Sequence, residues 1–196
     1  MRGTGNLLGD EQSGHIEGVG FDLYVRMVSE AVEQYKEPER KESVAVTIDL
    51  PIEASIPVDY IDSDKLRLEA YQKLASARTE DDLDELRDEL TDRYGKPPQS
   101  VYGLVEIALL RNRALALGLT EISQKNGAVL LYFSQLEPAW IPALNKGMYG
   151  RVLLSAGKKP YIALKPLPQE SVVDTLRTAM EIMEAESRAA KAAKTE

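Results

Sequence analysis

The stretch Leu115-Ala116-Leu117-Gly118-Leu119-Thr120-Glu121-Ile122-Ser123-Gln124-Lys125-Asn126-Gly127-Ala128-Val129-Leu130-Leu131-Tyr132-Phe133 is where this 196-residue chain changes its period. Gly118 predicts the end of a helix, because glycine takes the left-handed backbone conformation of a C-terminal cap without a Cβ clash. Beyond it, short β-rich pieces over about 120–123 and 128–133 flank Asn126-Gly127. That dipeptide suits a tight hairpin turn whose two central residues both need positive φ. A helix that runs straight into a hairpin marks the junction of an α+β chain.

Upstream of the junction the pattern is helical. Residues 99–117 carry Val101, Leu104, Val105, Ile107, Ala108, Leu109, Leu110 and Leu115, too many for one stripe, which predicts a central buried helix. Before it, Thr79 caps a helix that runs to Tyr94, with Asp82 placed for reciprocal capping. Gly95 closes that helix and Pro97-Pro98 prevents its continuation. A further helix is expected over 63–77 with Ser63 as its N-cap. Val44, Val46, Ile48 and Leu50 alternate with Ala45, Thr47 and Asp49, the period of a half-buried strand that Pro51 ends. Residues 51–60 read as an irregular loop.

Downstream, strands are expected over 151–154 and 161–164, joined through Gly157-Lys158-Lys159-Pro160, with a short helix over 138–144. Trp140, beside Pro138 and Pro142, reads as a packed residue in preference to a binding lip, since a single tryptophan is more often buried. Tyr149, between Gly147-Met148 and Gly150, is the other candidate for such a lip. Val172, Leu176, Ala179 and Met183 line a last amphipathic helix, expected to fray from Ala185 onward. The fold class expected is α+β, with helices packed on a small, mainly antiparallel sheet.

Residues 1–36 stand apart. Gly3, Gly5, Gly9 and Gly14, with Arg2 and Gln12 among them, describe a shaped glycine loop. Phe21, Tyr24, Val25, Val28, Ala31, Val32 and Tyr35 then recur at three- and four-residue steps, one side of a helix over about 16–36. Glu37-Pro38-Glu39-Arg40-Lys41-Glu42-Ser43 has proline, dense charge and no apolar residue, and is expected to be a linker over 37–43. The main domain is then 44–196.

Composition excludes several function classes. A net charge of −8, from 24 basic and 32 acidic residues, argues against a surface built to neutralise nucleic-acid phosphates and favours a protein partner with a basic patch. Without cysteine there is no disulfide, thiol nucleophile or thiolate metal site. His15 is the only histidine, and with Glu17 and Asp22 it does not put three metal ligands on one face. A hydrolase built on His15 lacks a nucleophile in any recognisable motif. There is no Gly-x-x-x-x-Gly-Lys-Ser/Thr loop and no dinucleotide fingerprint. No catalytic residue, metal or cofactor is expected in this stretch. No apolar run approaches the ~20 residues of a membrane span, and a cytoplasmic location is expected.

The helix over 79–94 holds the most one-sided charge pattern. Eight acids, Glu80, Asp81, Asp82, Asp84, Glu85, Asp88, Glu89 and Asp92, stand against two bases, Arg87 and Arg93. Leu83, Leu86, Leu90 and Tyr94 share one stripe, while Asp81, Glu85, Asp88 and Asp92 share the opposite side. Like charges four apart destabilise a helix by about 0.2–0.5 kcal/mol per pair, so such a ridge suits a basic docking partner.

Two sets of residues carry a resemblance. The loop from Arg2 to Gly14 resembles the end of the translocation motif shared by the branch-migrating helicase RecG and the transcription-repair coupling factor family. Asp59-Tyr60-Ile61, Leu66-Arg67-Leu68, Tyr71-Gln72-Lys73-Leu74-Ala75 and Glu89-Leu90-Thr91-Asp92-Arg93-Tyr94-Gly95 resemble the C-terminal domain that follows the motor in the coupling factors. The resemblance is good to about residue 120 and weaker beyond. It implies that the whole protein is a double-stranded DNA translocase using ATP and magnesium, which removes stalled RNA polymerase and recruits the excision-repair protein UvrA. It also implies that Arg2 and Gln12 couple ATP hydrolysis to movement on DNA. The C-terminal domain is expected to dock on the N-terminal UvrA-binding module of the same protein and to restrain the motor. Glu85, Asp88, Glu89 and Asp92, above all Glu89 and Asp92, are the residues expected to face that module. The rival expectation is a fragment that engages duplex DNA directly as part of a RecG-like helicase.

Overall fold

In the computed structural model, residues 46–193 are described. The glycine loop with Arg2, Gly3, Gly5, Gly9, Gln12 and Gly14, the helix expected over 16–36, and the linker expected over 37–43 lie outside them. The described residues divide into two units, 52–108 and 46–51 with 109–193.

In the first unit the caps start and stop the helices. Helix α1 (Asp64–Ser76) begins at Ser63, whose hydroxyl accepts the Leu66 N–H at 3.5 Å. Helix α2 (Glu80–Tyr94) begins at Thr79 with the expected reciprocal box: the Thr79 hydroxyl accepts from Asp82 N–H, and the Asp82 carboxylate accepts from Thr79 N–H. Gly95, at φ 81°, ends it. The Tyr60 hydroxyl lies 3.1 Å from the Leu90 carbonyl and 3.0 Å from that of Gly95, which ties the segment before α1 to the end of α2. Arg67 is buried, and its guanidinium donates to the Ile61 and Asp62 carbonyls and to the Asp64 carboxylate. The Ile56 N–H donates to the Tyr71 hydroxyl at 2.8 Å, which fixes the irregular segment before α1. Helix α3 (Gln99–Ala116) belongs to this unit as far as Ala108. Gly103, on α3, lets the main chain at Glu53 come against the helix.

The second unit is built on a mixed sheet. Its strands are β1 (Thr47–Asp49), β2 (Leu119–Lys125), β3 (Ala128–Phe133), β4 (Val152–Ser155) and β5 (Tyr161–Leu164), in the order β1-β2-β3-β5-β4. The hairpin at Asn126 and Gly127 forms as expected, with φ 51° and 74°. The β3–β5 and β4–β5 pairs are antiparallel too, whereas β1 runs parallel to β2. A parallel neighbour needs a long crossover connection, which the residues between β1 and β2 supply. Ile48, Ile122, Leu131 and Ile162 meet in register and are all buried, marking the core face of the sheet.

The other helices of this unit are α4 (Trp140–Gly147) and α5 (Val172–Ala193). Trp140 is buried, with its ring 5.5 Å from Phe133 and its indole N–H donating to the Ser187 hydroxyl at 3.0 Å. The packing role expected for Trp140 is therefore the one it has. Helix α5 departs from the expected fraying at Ala185 and continues to Ala193. It is held beyond Met183 by Ser187 and by the Glu184 carboxylate, which accepts two bonds from Arg113 at 2.7 and 3.0 Å. The alanines of that stretch also favour helix. Leu115, expected to be buried, is 38% exposed on the last turn of α3.

Tyr149 follows α4 with φ 52° and is exposed. A bulky side chain in the left-handed region costs about 1 kcal/mol or more, and asparagine tolerates it better. Tyr149→Asn is expected to raise stability by about 0.5–1 kcal/mol in urea unfolding.

Candidate interaction surface

Helix α2 buries Leu83, Leu86 and Leu90 and leaves Asp81, Glu85, Asp88 and Asp92 exposed. The 3.6-residue period puts the two sets on opposite sides, as the spacing predicts. The stripe ends in Tyr94, whose ring stands edge-on to Tyr60 at 5.9 Å and under the Arg93 guanidinium at 5.2 Å.

The acids of this helix are not equivalent. The Asp82 carboxylate is committed to the cap, where the N–H groups of Arg78 and Thr79 at 2.8 and 2.9 Å hold its pKa below the ordinary value. Asp84 pairs with Arg87 at 3.0 Å, and Asp88 lies 3.8 Å from the same guanidinium. Glu89 accepts from the Lys73 ammonium of α1 at 2.5 Å and from Arg93 at 2.9 Å. Those two hydrogen bonds hold the Glu89 carboxyl below its usual range. Its charge is thus largely answered from within the unit. Asp81, Glu85 and Asp92 form no ion pair among the described residues.

Of the residues expected to dock, the structure therefore groups Glu85, Asp88 and Asp92 on one open face and turns Glu89 to the flank beside α1. Lys73 escaped the sequence reading because it is sixteen residues from Glu89 and no local spacing links the two. Arg2 and Gln12, with the glycines of their loop, lie outside the described residues.

Other chemistry finds little foothold. Among the described residues, no group of three or more His, Cys, Asp or Glu side chains is placed to hold a metal ion, and no helix is long and apolar enough to cross a membrane. An open hollow at the end of β1 is lined by Asp49, Leu50, Pro51, Gln124, Asn126 and Gly127. One carboxylate and two amides do not supply an acid–base pair.

Comparison with known proteins adds three findings. Residues 50–142 match the family described as the TRCF domain. Transcription-repair-coupling factors of Mycobacterium bovis and Mycobacterium tuberculosis are 43% identical over 153 residues, covering 72% of this chain and 12% of theirs. That of Staphylococcus aureus is 39% identical over 137 residues, covering 68% of this chain and 12% of its own. The chain thus spans about one-eighth of the length of these relatives. A crystal structure of the C-terminal domain of a transcription-repair coupling factor superposes with a TM-score of 0.60, covering 74% of this chain and 95% of that one. At 18% identity that likeness is one of fold.

Proposed function

Because the chain belongs to the transcription-repair coupling factor family and carries its C-terminal domain, we propose that it serves as an interaction and autoinhibition module, docking through α2 on the N-terminal UvrA-binding module of the same protein. In the docked state it hides that module and restrains the motor. The parent is a cytoplasmic ATP- and magnesium-dependent DNA translocase that displaces stalled RNA polymerase and hands the lesion to UvrA in nucleotide excision repair. This stretch is its regulatory piece, with no catalytic role. The translocation-motif residues Arg2 and Gln12 act with the motor.

The observation that carries the docking role is the open face of α2, with Glu85, Asp88 and Asp92 exposed opposite a buried leucine stripe. Acids aligned along a helix repel one another, and a basic partner removes that repulsion. The exposed position also makes the attraction sensitive to salt, with a screening length of about 8–10 Å at physiological ionic strength.

Calorimetric titration of the chain with the UvrA-binding module is expected to show binding that weakens with salt. Joint reversal, Glu85→Lys with Asp88→Lys and Asp92→Lys, should weaken it about tenfold or more, equivalent to about 1.4 kcal/mol. Thermal unfolding should stay unchanged, since none of the three is buried. An unaltered affinity for the triple variant would remove the ridge from the interface. If the separate pieces do not bind, tethering them tests whether docking depends on the effective concentration of the intact chain.

A further inference from the structure

We propose that the outer edge of β4 is a second docking site, which takes an extended segment of a partner protein, alternating acidic and apolar residues, as an added strand. The strand order ends at β4, and no strand lies beyond it among the described residues. The Arg151 carbonyl accepts the Lys165 N–H at 3.0 Å, and pairing then alternates along the ladder. By that alternation Leu153 and Ser155 bond inward to β5, as the Arg151 carbonyl does to Lys165 just beyond it, and Val152 and Leu154 turn their main-chain groups outward.

Sheet edges are ordinarily protected by inward charges, proline, a bulge or a covering element. The sequence Val152-Leu153-Leu154-Ser155 has no charge and no proline, and its pairing with β5 is regular. Leu153 is 73% exposed and Leu154 46%, on opposite faces of the strand. Tyr149, 88% exposed, precedes them in a left-handed conformation that stability alone does not favour. An unprotected edge bordered by exposed apolar side chains is what β-strand addition requires.

Charge selects the partner. In a chain of net charge −8, residues 138–169 contain Lys146, Arg151, Lys158, Lys159 and Lys165 and no acid. Arg151 is engaged by Glu170 at 2.5 Å, and the four lysines are exposed. Lys158 and Lys159 lie in the turn that joins β4 to β5. Duplex DNA would meet the lysines but leave the leucines and the open main chain unused. An acidic–apolar strand uses all three, and that choice rests on the β4 edge independently of α2.

The test uses the whole chain and a labelled octapeptide alternating valine with glutamate, followed by fluorescence anisotropy and amide exchange. Saturable binding is expected, with exchange at Val152 and Leu154 slowed about tenfold or more. Leu154→Pro removes only an outward N–H and should weaken binding about fivefold or more while the sheet stays folded. Lys158→Glu with Lys159→Glu should do so to a similar extent without touching the strand. Binding with no change at the Val152 and Leu154 amides, equal binding of a glutamate-only octapeptide, or binding of a DNA duplex in place of the peptide would each overturn the proposal, as would no binding at all.

Discussion

Gly103→Ala is expected to destabilise the chain by about 3 kcal/mol or more, although propensity alone predicts a gain of about 1 kcal/mol for alanine inside a helix. The clash decides the sign. A Cβ at Gly103 would fall on the carbonyl oxygen of Glu53, well inside contact, and 3.2 Å from Cγ2 of Ile52. The obstructing atom is main chain, which cannot swing aside as a side chain can. Nor can its segment withdraw freely, because Ser55 N–H donates to the Ser100 carbonyl at 3.2 Å and Ile56 N–H to the Tyr71 hydroxyl at 2.8 Å. Moving the segment would sacrifice these bonds and leave buried groups unmatched. Gly147 provides the control. There the added carbon meets Cδ1 of Ile182 at 2.6 Å, the end of a flexible and half-buried side chain. Gly147→Ala should therefore change stability by about 1 kcal/mol or less. Urea unfolding of both variants checks the pair, and a Gly103→Ala variant as stable as the parent would mean that the Glu53 segment does not bear on α3.

How much could be read without coordinates follows from how local the determining chemistry is. Ser63, Thr79 with Asp82, Gly95, Gly118 and Asn126-Gly127 act within a few residues of themselves, and each does in the structure what its type predicts. The neighbours of β5 and the parallel partner of β1 depend on contacts far apart in sequence, for which no residue type is a signal. For the candidate surface the same divide holds. The side of α2 on which Glu85, Asp88 and Asp92 lie follows from helical period, whereas the engagement of Glu89 by Lys73 follows from how α1 and α2 pack. The exposure of β4 has another source: Val152-Leu153-Leu154 is apolar throughout, and only its place at the end of the sheet leaves two leucines in water. Residues 138–169 contain no acid, a local feature that a net charge taken over the whole chain averages away.

Arg151→Ala is expected to cost about 2–3 kcal/mol at neutral pH: a hydrogen bond to a charged group contributes about 1.5–3 kcal/mol, and the three connections closed by one guanidinium are coupled and do not add in full. Its Nε donates to the Met148 carbonyl at 3.1 Å, and a terminal nitrogen donates to the Lys165 carbonyl at 3.0 Å and the Glu170 carboxylate at 2.5 Å. The end of α4, the end of β5 and the loop into α5 all converge on this one side chain. Glu170 also accepts the Leu167 N–H at 2.9 Å, and that bond, with Arg151, holds its pKa below the ordinary value against the opposing effect of burial. A lowered folded-state pKa means that the unfolded chain takes up the proton first as pH falls. The stabilisation is complete above the unfolded value of about 4.3 and disappears as pH drops through the lower folded value. Glu170→Gln should accordingly be less stable than the parent at pH 7, with the gap closing between about pH 4 and the acid limit of folding. The gap for Arg151→Ala should narrow over the same range but not close, since the bonds to the two carbonyls do not depend on the carboxylate charge. A Glu170→Gln gap that is independent of pH would show that the charge of Glu170 contributes nothing and that shape and neutral hydrogen bonds hold the corner.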